Sequence, residues 1–363
     1  MEEKKIVLVS VSDLVPGMIV ARDVYTRNNQ LLIPADTEIT ESIIARMTFF
    51  GVMSIRVYLD ELEQNIEEEE EEKDFMTQQE KEDFAAFKEN YELTINHVSG
   101  NLNSLLKTGN EINSDELVED VDKLLFQSKS RYEIINMVHN LRTYDDETYR
   151  HSLNVAMINS VFAGWLGMSE YERKQLTLCG LLHDVGKLLI SKDILRKPGR
   201  LTEEEYEQIK KHPLLGYEKM KDKKLPESVK QVILLHHERA DGSGYPYGFR
   251  LKEIDPYAAI TAIADVYDAM TSNRVYRHGM SPFDVIEIFE KEGRKQFNPM
   301  FLVPILNNLT NTYLQHYVKL SNGEKGKIVL INKSELSRPM IALDNNKFID
   351  LSKERDIKIT RVR

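Results

Sequence analysis

The sequence predicts a mainly helical protein, in which a helical domain is flanked by a small N-terminal α+β module and a small C-terminal β module. Three observations carry that reading. Between about residues 77 and 310, helix-start signals recur, and apolar residues spaced three or four apart follow each of them. Before about residue 60, short β-type runs alternate with turn dipeptides. After about residue 315, β-type runs return around an Asn-Gly turn.

Bulk properties narrow the classes. The 363 residues are 41% hydrophobic, enough for two or three cored units. Net charge is −11, and residues 67–72 are six consecutive glutamates. A chain without a basic face is not expected to bind long DNA or RNA. Cys179 is the single cysteine, which excludes an intrachain disulfide and fits a reducing cytoplasm. Its apolar neighbours mark it as an inert core thiol. No apolar run approaches the roughly 18 residues of a transmembrane helix. The charged residues 1–5 lead straight into Ile6-Val7-Leu8-Val9 with no secretory signal pattern. The expected setting is the cytoplasm, with no membrane insertion.

The α+β module covers residues 1–60. Strands are expected at 6–11, 18–24, 31–33 and 53–58, with turns at Pro16-Gly17 and Asn28-Asn29. Thr40 is placed to cap a helix carrying Ile43, Ile44, Met47 and Phe50, and Gly51 to end it. Residues 61–76 form an acidic linker. A helical connector follows at 77–142. It opens on the capping box Thr77-x-x-Glu80 and carries a stripe of Phe84, Phe87, Tyr91, Ile95, Val98, Leu102 and Leu105. Such a stripe either packs on its own chain or pairs two copies through the 77–110 helix; Gly100 and the short length weaken the pairing. Asn113-x-x-Glu116 and Ser130-x-x-Glu133 start two further helices.

The main helical domain is expected at 143–314. Asp145 or Asp146 caps a helix that stops at Gly167, and Ser169-x-x-Glu172 opens the next, running to His183. Thr202-x-x-Glu205 opens one that ends near His212-Pro213, and Pro226 begins the helix that delivers His236-His237. Asp255-Pro256, Ser281-Pro282 and Asn298-Pro299 start the last three, with proline at the first helical position. In the β module, 315–363, strands are expected on either side of Asn322-Gly323 and at 340–343, 348–351 and 357–362.

Polar residues that interrupt the apolar helices carry the chemistry. Glu147 and His151 lie four apart on one helix face. His183-Asp184 sits at a helix end, His212 at a helix junction, and His236-His237 after the apolar run 232–235. Asp265 and Asp268 lie three apart in a helix that is otherwise apolar. Taken singly, His151 or His212 reads as a satisfied core histidine, Glu147 as solvent-facing, and Asp268 as the partner of a nearby arginine. His97, His139, His278 and His316 lack companions and read as structural. Jointly, buried carboxylates and imidazoles at so many separate places call for a shared cation. The mixed donors suit iron, manganese or zinc, and their number exceeds what one ion takes, so two or three ions are implied. Closely spaced metals suit phosphoester hydrolysis, polarising phosphoryl oxygens and holding a bridging hydroxide. Groups suited to a phosphorylated ligand lie near: Lys187, Arg274, Arg277, and Tyr245 in the glycine-rich stretch Asp241-Gly242-Ser243-Gly244-Tyr245-Pro246.

These motifs resemble the HD-GYP family of metal-dependent phosphohydrolases. The matching residues are His151, His183-Asp184-Val185-Gly186-Lys187, Lys197-Pro198-Gly199, His212-Pro213, the run from His236 to Pro246, and Asp265-Val266-Tyr267-Asp268-Ala269-Met270-Thr271-Ser272. They cover about residues 140 to 310, and the terminal modules fall outside them. The resemblance implies hydrolysis of cyclic di-GMP to pGpG and then GMP at two or three divalent ions, most often iron or manganese. It implies that His151, His183, Asp184, His212, His236, His237 and Asp265 are metal ligands, with Asp184 bridging and Glu147 as the extra carboxylate of a three-metal arrangement. Lys187 would bind phosphate and assist proton delivery to the leaving oxygen, and Asp268 would orient water or Lys187. Tyr245, Arg274 and Arg277 would hold the dinucleotide. Asn273 and Val275 depart from the family's usual Asp and Pro, which bears on loop geometry and on no ligand. The competing readings are a phosphodiesterase for another cyclic dinucleotide such as cyclic GMP-AMP, a non-catalytic cyclic di-GMP receptor or scaffold, and a broader nucleotide phosphohydrolase.

Overall fold

The computed structural model describes residues 6–11, 14–26, 30–52, 54–58, 78–108, 111, 113–126, 134–135, 137–138, 141, 147–195, 202–272 and 280–362. The acidic linker, the signals at Asn28-Asn29, Thr77, Ser130 and Asp145-Asp146, the Lys197-Pro198-Gly199 stretch, His139 and His278 lie outside them.

Alternating apolar residues build the N-terminal module. Its strands are β1 (Ile6–Ser10), β2 (Ile19–Val20), β3 (Val24–Tyr25), β4 (Leu31–Ile33) and β5 (Ser54–Tyr58), with helix α1 (Glu41–Phe49) before the last. β5 pairs antiparallel with both β1 and β2, and β3 pairs with β4. The strand expected at 18–24 is broken in two. The Asp23 carboxylate accepts from Ala35 N at 2.7 Å and pins a corner there. Thr40 caps α1 by accepting from Ile43 N. One side of α1 buries Ile44 and Met47 in the module's own core. The other sends Ala45 and Phe49 into the helical core, where the Phe49 ring packs edge-on against Phe289 and Phe297, each with centroids 5.4 Å away.

Helix α2 (Gln78–Thr108) runs straight through Gly100. Its stripe, Phe87, Tyr91, Ile95, Val98, Leu102 and Leu105, is buried against the chain's own helices. The stripe is therefore occupied within one chain. Helix α3 (Ser114–Phe126) starts at Asn113, whose side chain accepts from Glu116 N.

The domain that follows contains α4 (Glu147–Trp165), α5 (Glu170–Leu182), a 3-10 turn (Val185–Leu189), α6 (Lys192–Leu195), α7 (Glu203–Ile209), α8 (His212–Met220), α9 (Glu227–Leu235), α10 (Pro256–Thr271), α11 (Pro282–Ile288), a π turn (Phe289–Gly293), α12 (Arg294–Gln296) and α13 (Pro299–Thr312). The expected caps are present: reciprocal capping boxes at Ser169 and Thr202, and side-chain caps from Asp255, Ser281 and Asn298, each before a proline. α4 ends before Gly167, which takes a left-handed φ of +69.

The C-terminal sheet is antiparallel, in the order β10 (Ile359–Val362), β6 (Tyr317–Leu320), β7 (Lys325–Leu330), β8 (Met340–Leu343) and β9 (Phe348–Asp350). β6 and β7 pair as a hairpin around Asn322-Gly323. Its apolar face, Val318, Leu320, Ile328 and Ile341, joins the same core as the helices. Glu290 clamps it there, accepting from Leu336 N at 2.6 Å and from Ser337 N at 3.0 Å. No helix among the described residues is long and apolar enough to cross a membrane.

Helices α4 and α5 cross in near backbone contact. A Cβ added at Gly180 would lie 2.5 Å from Ala156 N and Cα. Gly180→Ala is therefore expected to force the helices apart and cost about 1–3 kcal/mol, the range for overpacking a close-packed core. A urea midpoint equal to the parent's would refute this.

Candidate metal centre

Five elements deliver the histidines and aspartates, and in each the apolar sequence around the ligand sets its burial. The run 176–182 buries the end of α5, leaving His183 as its C-cap and Asp184 just beyond, both essentially inaccessible. The 3-10 turn then folds Lys187 back, so that its Nζ donates to Asp184 Oδ2. Gly186 lets this turn meet the start of α8, since a Cβ there would collide with His212 O and lie 2.8 Å from Gly216 N. That close approach brings His212 to Asp184. α9 ends on His236 as its C-cap with His237 next, and α10 supplies Asp265 and Asp268.

Asp184 is the hub. Its Oδ1 lies 3.2 Å from His212 Nε2 and 3.6 Å from His236 Nε2. Its Oδ2 lies 3.4 Å from His183 Nε2 and 3.7 Å from His151 Nε2. The donors fall into two groups, Asp184-His212-His236-His237 and His151-His183-Asp265, with ligand atoms of each group within 4.8 Å of one another. Asp265 Oδ1 accepts from His151 Nε2 at 2.9 Å, and its Oδ2 is 3.9 Å from His237 Nδ1.

Hydrogen bonding decides which atoms face inward. Nδ1 of His183, His212 and His236 donates to Gly180 O at 2.8 Å, Ile209 O at 2.8 Å and Val232 O at 3.0 Å. That fixes the proton on Nδ1 and leaves each Nε2 as a lone pair aimed at the carboxylates. His183 Nε2 and Asp184 Oδ1 are buried with no hydrogen-bond partner. Acceptors that face acceptors in a buried site repel, and burial of unpaired polar atoms is costly. The donor set therefore fits divalent cations, which would meet Nε2 lone pairs and carboxylate oxygens together.

The electrostatics agree. Burial disfavours the charged Asp184 carboxylate, but the Lys187 ammonium beside it outweighs burial and holds its pKa well below the usual range. Burial pushes His212 and His237 down, and His236 to about 4, so all three present neutral imidazoles. His151 is the exception. Burial opposes its charge, yet bonds to Asp265 and Asp268 raise it to about 10. Cys179 is buried and its thiol is pushed well up, as an inert core residue requires.

At the edge of the site, the Tyr245 ring stacks on His237, with centroids 4.5 Å apart and planes at 21°. Gly244 lies so close to the backbone at 237–239 that no Cβ fits. The buried Glu238 carboxylate accepts from Tyr247 N at 2.7 Å and Phe249 N at 2.9 Å, which holds the loop's shape. Asp268 is placed against His151, its Oδ2 accepting from Nδ1 at 2.7 Å. Arg274, Arg277, Asn273, Val275 and the Glu147 side chain lie outside the described residues. His97, which reads as solitary in the sequence, meets Asp120 through Nδ1 and Glu116 at 3.4 Å through Nε2.

Two residues near the ligands escaped the sequence reading. Asn154 donates to Asp268 Oδ1 at 3.0 Å, and Tyr91 donates to Asn154 Oδ1 at 2.7 Å. Asn154 carried a signal, a buried amide three residues after His151 on the same helix face. Tyr91 carried none, because it fits the apolar stripe of α2.

A helical core gathering histidines and aspartates around one buried carboxylate defines a metal-binding HD-type protein. The HD domain family model matches residues 116–300, and the chain belongs to that family. It is 30% identical over 229 residues to a cyclic di-GMP phosphodiesterase of Pseudomonas aeruginosa, covering 63% of this chain and 54% of the relative. It is 35% identical over 191 residues to a cyclic di-GMP phosphodiesterase of Thermotoga maritima, covering 52% and 50%. It is 41% identical over 180 residues to a 3'3'-cGAMP-specific phosphodiesterase of Vibrio cholerae, covering 49% and 40%. The chain thus spans about half the length of the curated relatives it matches. An HDG"Y"P protein from Bdellovibrio bacteriovorus shares the fold, with a TM-score of 0.51 at 20% identity over 84% of this chain and 99% of that one.

The depressed histidines make the metal-free protein acid-sensitive. In the unfolded chain a histidine titrates near 6.5, so below that value unfolding takes up protons that folded His212, His236 and His237 refuse. Their contribution is complete above about pH 6.5 and is lost as pH falls toward about 4. The raised pKa of His151 acts only at higher pH, between 6.5 and about 10. The thermal midpoint of chelator-treated protein should therefore fall from pH 6.5 to 4. A flat profile would contradict the buried neutral imidazoles.

Proposed function

We propose that the protein is a metal-dependent phosphodiesterase that hydrolyses cyclic di-GMP to pGpG and GMP. The observation that carries this reading is Asp184, whose two oxygens face the two donor groups while Lys187 sits on the same carboxylate. The names of the relatives support the substrate class. His151, His183, His212, His236, His237, Asp184 and Asp265 would hold two or three ions, iron or manganese, with Asp184 shared and Glu147 an added ligand. When bound, such ions supply Lewis-acid polarisation of a phosphoryl oxygen and activation of water.

The side chains do the rest. Lys187, about one quarter exposed beside the buried ligands, binds the phosphate and delivers a proton to the departing ribose oxygen. Asp268 acts through His151, holding its Nδ1 proton so that Nε2 faces the donor group. Tyr245, fixed by its stacking on His237, offers an aromatic face at the site's edge, and with Arg274 and Arg277 would hold the dinucleotide. The reading places the protein in the cytoplasm, with no long nucleic acid as partner. A homodimer through the 77–110 helix would use the face of α2 that carries Leu93, since the stripe itself is buried.

A cyclic GMP-AMP substrate is the second reading, favoured by the 41% identity to the 3'3'-cGAMP-specific relative. A receptor without activity is disfavoured by the full ligand set. Protein purified without oxygen and loaded with iron or manganese should release pGpG or GMP from cyclic di-GMP. Competition with cyclic GMP-AMP would rank the two substrates, and hydrolysis of neither would overturn the reading. Asp184→Ala should lose most bound metal and at least about 10²–10³-fold in turnover, the scale for removing preorganised charge stabilisation. Retention of both would remove Asp184 from the centre.

Glu147→Ala addresses the count of ions separately. It should lower the metal stoichiometry of folded protein, read by elemental analysis against circular dichroism. Unchanged stoichiometry would leave Glu147 as a solvent-facing residue and favour two ions.

A further inference from the structure

A buried hydrogen-bond relay leads from the long helix α2 to the metal centre. Tyr91, fully buried, donates from its hydroxyl to Asn154 Oδ1 at 2.7 Å. Asn154 Nδ2 donates to Asp268 Oδ1 at 3.0 Å. Asp268 Oδ2 accepts from His151 Nδ1 at 2.7 Å, and His151 Nε2 faces Asp265. The Tyr91 hydroxyl also lies 3.2 Å from Arg150 O, but Asn154 Oδ1 is the nearer acceptor, and a carboxylate that only accepts sets the sense of the rest: phenol, amide, carboxylate, imidazole. Burial and the Asp268 charge hold the Tyr91 phenol well above its ordinary pKa, so it stays a donor. The relay is bolted at its outer end, where Arg150 donates to both Glu92 oxygens at 2.7 and 2.6 Å, joining α2 to α4 beside Tyr91.

We propose that Tyr91 and Asn154 are positioning residues for the metal ligand His151, through which the placement of α2 sets the affinity of the His151-His183-Asp265 group. The geometry gives a reason. His183, His212 and His236 are oriented by carbonyls three or four residues earlier in their own chain segments. His151 is oriented by the Asp268 side chain of α10, which is in turn held by Ser272 Oγ at 2.9 Å and, across the helices, by Asn154 of α4 and through it Tyr91 of α2. The tilt of α2 against α4 therefore reaches one donor group and leaves the other's orienting bonds untouched. Partners that orient a metal-bound histidine typically contribute 10- to 100-fold in metal affinity.

The inference rests on the metal-centre reading above, and its test reads metal binding rather than turnover. Mn2+ titrated into the full chain, after chelation and dialysis, should show its weakest binding step about 10-fold weaker in Tyr91→Phe than in the parent. Asn154→Ala should weaken the same step at least as much, and the double variant no further than Asn154→Ala alone. Tyr313→Phe removes another fully buried hydroxyl, one that faces Tyr267, and should bind Mn2+ like the parent. A purely structural role would lower the thermal midpoint of Tyr91→Phe and Tyr313→Phe alike and leave Mn2+ affinity alone. Parent-like Mn2+ affinity in folded Tyr91→Phe would overturn the proposal. Should Tyr91→Phe fail to fold, parent-like affinity in Asn154→Ser would do the same. Failure of the phosphodiesterase reading would appear elsewhere, as metal-loaded parent protein that hydrolyses no cyclic dinucleotide.

Discussion

A buried carboxylate surrounded by imidazole lone pairs is the constraint on which the rest of this molecule depends. Asp184 is buried, and its two oxygens lie 3.2 to 3.6 Å from the Nε2 atoms of His183, His212 and His236. Left alone, such an arrangement is costly, because buried acceptors face one another. The ring orientations that create it are enforced by the backbone through Nδ1. The helices spend their packing energy on holding a cluster that only cations complete. Small residues are placed accordingly. Gly180 lets α4 and α5 touch, and Gly186 lets the turn after Asp184 touch α8. Larger side chains there would separate the ligands before any chemistry began.

The terminal modules are built into this arrangement. The C-terminal sheet shares the helical core and is clamped by Glu290. Helix α1 sends Phe49 between Phe289 and Phe297. Phe297 also faces the guanidinium of Arg239 at 5.0 Å, and Arg239 donates to His236 O at 3.2 Å. An aromatic residue of the first module is thus three contacts from the backbone of His236. Cation–π contacts of this kind strengthen when desolvated, and Arg239 is buried.

Local signals account for what was legible in the sequence. Caps at Ser169, Thr202 and Asp255 are short-range chemistry, and they mark helix starts because the first amides of a helix need acceptors. The histidines and aspartates were legible because they interrupt apolar helices. What stayed hidden is tertiary. The break in the strand expected at 18–24 depends on Asp23 reaching Ala35, twelve residues away. The stripe on α2 has the same spacing whether it pairs two chains or packs within one, and only the neighbouring helices decide. Glu238 lies beside the recognised His236-His237 pair, yet its work on the amides of Tyr247 and Phe249 requires the loop to fold back.

The same distinction between local and tertiary order runs through the metal centre. The Asp184-His212-His236-His237 group is largely self-oriented. His212 and His236 take their ring positions from carbonyls in their own turns, and Asp184 follows directly on the end of α5. The second group is assembled from three helices; His183 is again set by a carbonyl of its own turn, but His151 and Asp265 depend on side chains for their alignment. Local hydrogen bonds survive small movements between helices, whereas a line of side-chain bonds across α2, α4 and α10 does not. A centre built this way has one firmly set half and one half answerable to packing. Because Asp184 belongs to the firm half and reaches the other through Oδ2, any change in the alignment of His151 is felt at the shared carboxylate.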